Sequence, residues 1–120
     1  MSREQLEALA AEGLVSIRSR PSVRLENALY DLAAWSSYWC IASGDARFCI
    51  IHDFLTTLAD AWEQRGAVST AIVGEVDLLL RRDLPAVLSA DESALGAQLA
   101  QSLQSEISRA IRGEPGVSGL

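Results

Sequence analysis

Lysine is missing from this chain of 120 residues, and all ten basic residues are arginine. That bias fits high-GC coding and a bacterial source. Against the ten arginines stand 16 acidic residues, giving a net charge of −6 and a pI near 4.6. Phosphate binding needs clustered Lys and Arg, so nucleic acid is a poor partner. An anionic membrane surface is disfavoured for the same reason. The natural electrostatic match is a basic protein.

Histidine occurs once and cysteine twice. Those residues cannot supply the four Cys/His ligands of a structural zinc site. A di-metal helical bundle of the carboxylate type needs Glu-x-x-His on two helices, and a single histidine rules that out. Gly-x-Gly-x-x-Gly, the P-loop and Gly-x-Ser-x-Gly are absent, so nucleotide binding and serine hydrolysis lack their motifs. No cofactor is expected.

Long apolar runs are also lacking. No stretch free of charge is longer than Leu32 to Gly44, which is too short to span a bilayer. The opening "MSREQLEALAAEGL" does not run from basic to apolar as a signal peptide does. The default expectation is then the cytoplasm, with both cysteines reduced. An oxidised pair in a secreted protein is the alternative.

What the chain does contain is a helical pattern. Hydrophobic residues make up 49% and charged residues 22%, the balance of a globular domain. Folding a chain this long buries roughly two-thirds of its surface, enough for one ordinary core. Mean hydropathy is +0.15, apolar for so small a chain. A partner or a second copy could cover part of that surface.

Five segments follow. Helix 1 opens on a capping box, Ser2 with Gln5. Leu6, Leu9, Ala10, Leu14 and Ile17 recur at helical spacing until Pro21 stops the helix. Helix 2 starts after Ser22 and runs to about Ala42, ahead of Gly44. Its Leu25, Ala28, Leu29, Leu32, Ala33, Trp39 and Cys40 share a wide face, with Trp35 at the edge. Apolar groups nearly encircle it, which marks a central or partner-covered helix.

Helix 3 starts at the N-cap Asp45 and ends near Arg65. Phe48, Ile51, Leu55, Leu58, Ala59 and Trp62 form its stripe. Helix 4 starts near Ser69 and breaks at "RRDLP", because Pro85 disfavours helix at Leu84. Helix 5 opens on Ser89 with Glu92, carries Leu95, Leu99, Leu103, Ile107 and Ile111, and ends at Gly113. No strand pattern is evident. Short connections then predict an all-α fold, an antiparallel bundle of four to five helices in a single domain over residues 1–113 with a tail at 114–120.

Cys49 and His52 in "CIIHD" lie three apart on one helix and could form a nucleophile–base pair. An oxyanion hole and an orienting group are not evident, and Asp53 points about 100° from His52. A small enzyme or ligand-binding bundle with a pocket near Cys49 and His52 is thus an alternative. A homodimer burying helix 2 is another.

The favoured reading is a surface. Cys49, His52, Asp53, Thr56, Asp60 and Glu63 share a polar strip of helix 3. Tyr30, Trp35 and Tyr38, near Asp31, border it on helix 2, and aromatic residues carry much of the energy of interfaces. Asp31, Trp35, Tyr38, His52, Asp53, Thr56, Asp60 and Glu63 are therefore the candidate partner-binding residues. The expected function is non-enzymatic: binding, and inhibiting or neutralising, a basic protein partner, as immunity proteins, inhibitors and adaptors do.

Overall fold

A computed structural model describes residues 2–17 and 23–112. The order is α1 (Arg3–Ala11), β1 (Leu14–Ser16), α2 (Val23–Ser43), α3 (Ala46–Arg65), β2 (Ala67–Ser69), α4 (Thr70–Leu78) and α5 (Ala90–Arg112). Between α4 and α5 the chain makes a π-helical turn, Leu79–Asp83, and a 3-10 turn, Leu84–Ala86. The all-α class and single globule expected from the sequence are what is found. The expected signals at Arg18 to Ser22, Gly113 and the tail lie outside the described residues.

α2 is the central element. It packs against α3 on one side and α5 on the other. Leu25, Ala28, Leu29, Leu32 and Trp35 are thereby covered within the chain, while Val23, Tyr30, Tyr38 and Ile41 stay exposed. Leu32, Phe48, Ile51, Phe54, Leu55, Ile72 and Leu84 are fully or almost fully buried where these helices meet. Burying each such side chain is worth roughly 1.5–3 kcal/mol. Among the described residues no helix is long and apolar enough to cross a membrane.

The sequence reading of helix 1 is overturned. The helix stops at Ala11, and Gly13 takes a left-handed φ of 63°. A Cβ at Gly13 would also collide with the Thr70 side chain. Beyond it, Leu14, Val15 and Ser16 pair antiparallel with Ser69, Val68 and Ala67. Three residues per strand are too few for alternation to show, so the expectation of no strand fails here. Ser69 ties the two ends together. Its Oγ donates to the carbonyls of Leu9 (3.0 Å) and Glu12 (2.8 Å) and accepts from the Ile72 N–H at 3.3 Å. One buried hydroxyl thus ends α1 and starts α4.

On α5 the expected stripe holds at Leu99, Leu103, Ile107 and Ile111, which are buried or packed against the core, and fails at Leu95. The buried positions are Gly96, Ala100, Leu103, Glu106, Ile107 and Ala110. A repeat of four drifts about 40° per step around a helix with 3.6 residues per turn. Leu95 consequently swings out to 42% exposure.

Candidate functional site

The α2–α3 hairpin turns at Gly44, whose φ of 73° reverses the chain with no strain on a side chain. Asp45 then caps α3. Its carboxylate accepts from the Arg47 N–H at 3.0 Å and from Arg47 Nη2 at 2.6 Å. The side-chain bond first, and then the backbone bond, hold the Asp45 carboxyl down at about 2. Arg47 is anchored further by its Nη1, which donates to the Asp83 carbonyl at 3.4 Å.

Cys40 and Cys49 lie symmetrically about this turn, so the hairpin brings them opposite one another. They form a disulfide with their Cα atoms 5.2 Å apart, within the usual range. This corrects the expectation of reduced cysteines. Neither sulfur is free, so Cys49 is not available as a nucleophile for His52.

Trp35 corrects the proposed interface. It is 8% exposed, meets Phe48 edge-on at 5.7 Å and lies against Gly96 of α5. It is a core residue, because the missing side chain at Gly96 leaves room for its ring. Tyr38 does face solvent, at 63% exposure, with its ring edge-on to Trp39 at 5.1 Å. Asp31 is exposed but lines a groove toward α5 and not the α3 side.

The helix 3 strip keeps its outward face. Asp53, Thr56, Asp60 and Glu63 are exposed and His52 is half-buried. The Thr56 hydroxyl donates back to the His52 carbonyl at 3.0 Å. That leaves its oxygen free to accept. Asp53 sits at the α1 edge of the strip, beside Leu6 and Ile50. Asp60 and Glu63 lie one turn apart, about 5 Å along the axis.

The sequence points to Tyr30 on the helix 2 edge but not to Glu26 and Leu29 beside it. Glu26, Leu29 and Tyr30 line a small cleft with Ala59, Trp62 and Glu63. Its volume is about 60 Å³, which suits one slender side chain and not a free metabolite. Tyr30 is 65% exposed, so its ring is presented and not packed away. Glu26 and Tyr30 are i,i+4 on the helix stripe that also carries Cys40 through Ala33 and Ser37. That periodic relation to a cysteine was the available signal. The face as a whole carries Glu26, Asp53, Asp60 and Glu63.

Among the described residues no group of His, Cys, Asp and Glu is placed to hold a metal ion. Comparison with known proteins brings out no match: no family model, no curated protein and no solved structure resembles the chain significantly.

Proposed function

We propose that the protein is a non-enzymatic docking module that binds a basic protein partner through the outer face of the α2–α3 hairpin. The observation that carries this reading is the cleft with Tyr30 and Trp62 in its lining and Glu26 and Glu63 beside them. An arginine or lysine from the partner would lay its aliphatic stem along the rings and set its cation between the carboxylates. Asp60, Thr56 and Asp53 extend the same face for neighbouring contacts. The net charge of −6 would speed encounter with a basic surface. Masking a partner's basic, substrate-binding surface would inhibit it, the mode of action of inhibitors and immunity proteins.

The test begins with a pull-down from the source organism and purification of the captured partner. Binding is then titrated against wild type, the Asp53→Arg/Asp60→Arg/Glu63→Arg triple variant and Tyr30→Ala. The expected result is loss of binding in the triple variant, at least tenfold weakening in Tyr30→Ala, and affinity that falls as salt rises. Binding unchanged by the triple reversal refutes the proposal.

A further inference from the structure

We propose that the outer face of α2 pairs with the same face of a second copy of this chain, antiparallel about a twofold axis. Val23, Asn27, Tyr30, Ala34, Ser37 and Ile41 follow one another at steps of four, three, four, three and four. That is the repeat of 3.5 by which one helix lines a seam with another. The seam lies opposite Leu25 and Leu32, which turn into the core. α2 thus has two faces, one packed on α3 and α5 and one open among the described residues. On the open face Val23 is 67% exposed, Tyr30 65% and Ile41 84%, and Asn27 and Ala34 are exposed with them.

The order of the six residues selects the partner. A twofold interface must be complementary to itself. Reversing the seam about a point level with Leu32 sets Val23 against the partner's Ile41, Asn27 against the partner's Ser37 and Tyr30 against the partner's Ala34. Each match recurs on the other side of the axis. Apolar meets apolar at the ends, and an amide meets a hydroxyl further in. At the centre the largest ring meets the smallest side chain. A parallel pair would instead set Tyr30 on Tyr30 and Ala34 on Ala34, overfull at one level and empty at the next.

Charge points the same way. The chain carries a net −6, so two copies repel unless they meet where charge is absent. None of the six seam residues is charged, and a basic or acidic partner would find no counter-charge along them. At the flank, Asp31 stands one residue from the axis, which brings it beside the partner's Asp31. The area is sufficient. Tyr30 and the flanking Tyr38, each nearly two-thirds exposed, offer about 400–600 Å² over both copies. Val23 and Ile41 carry the seam toward the ~1,000 Å² at which a specific interface begins.

The experiment is sedimentation equilibrium of the purified whole chain over a range of concentrations. Tyr30 belongs to this seam and to the docking cleft, but no basic protein is present in the assay, so either proposal can fail without the other. A monomer–dimer equilibrium is expected. Ile41→Arg should weaken the dimer at least tenfold. Ala34→Tyr sets ring against ring and should weaken it as much. Adding Tyr30→Ala to Ala34→Tyr puts large against small again and should recover most of that loss. Asp31→Asn removes a like-charge pair and should tighten the dimer several-fold. All four positions are exposed in the single chain, so these variants leave its core alone. A chain that stays monomeric up to about 1 mM overturns the proposal. So does a dimer indifferent to Ile41→Arg, one weakened by Asp31→Asn, or a double variant no tighter than Ala34→Tyr alone.

Discussion

The indole of Trp35 rests on the bare α-carbon of Gly96. A Cβ built at Gly96 would stand 2.6 Å from two atoms of that ring. The contact seats α5 against α2 and closes the core over Phe48. Ala at this position would gain about 1 kcal/mol of helix preference over Gly. It would lose about 1–3 kcal/mol to overpacking against a ring held by Phe48. Gly96→Ala is expected to destabilise by about 1 kcal/mol net. Gly74→Ala is the control, because nothing lies within 4 Å of the added methyl in α4. It should stabilise by about 0.5–1 kcal/mol. Urea midpoints for the two variants should move in opposite directions.

Removing the Ser69 hydroxyl takes a donor from the Glu12 carbonyl and an acceptor from the Ile72 N–H, while the Leu9 carbonyl keeps the Glu12 N–H at 3.1 Å. Ser69→Ala should cost about 1–3 kcal/mol, more than the loss of an exposed cap. Ser69→Thr keeps the hydroxyl and should recover part of it. Chemical denaturation of both variants checks this.

Opening Cys40–Cys49 frees a loop with a sequence separation of 9. The chain-entropy model gives about 2–3 kcal/mol for so short a loop. Reduction by dithiothreitol should lower the unfolding free energy from urea titration by that amount and leave the helical circular-dichroism spectrum intact below the transition. A Cys40→Ser/Cys49→Ser variant should match the reduced protein and be indifferent to the reductant.

The Asp45–Arg47 pair gives the protein an acid-sensitive joint. The Asp45 carboxyl, held by Arg47, titrates near 2 in place of its ordinary 3.8. A folded-state value below the unfolded one means that the bound, ionised form stabilises the fold. The contribution is complete above about pH 4 and is lost as the pH falls toward about 2. Asp45→Asn retains a capping side chain. It should flatten the pH dependence of stability across this interval, as measured by urea midpoints at successive pH values.

The long elements were legible because period and punctuation agreed. Asp45 and Ser69 cap α3 and α4 as their residue types require, and the arc from His52 to Asp53 remains the polar side of α3. What escaped depended on distant neighbours. Nothing local to Trp35 says that a glycine 61 positions away, Gly96, makes room for it. Ile17 fits a helical spacing with Leu14, yet Gly13 and a strand remote in sequence claim the segment. Glu26 joins the candidate face only because α3 brings Ala59 and Glu63 alongside it.

The Ser69 hydroxyl also sets an order in time. α1 has no buried residue of its own, and the contacts that hold it span 57 and 60 positions of sequence. Contacts so far apart in the chain form late, after the loop between them has been closed by other means. The hairpin of α2 and α3 needs no such wait, since its turn lies within its own sequence. Folding is therefore expected to run against the numbering, with the α2–α3 hairpin ahead of the docking of α1.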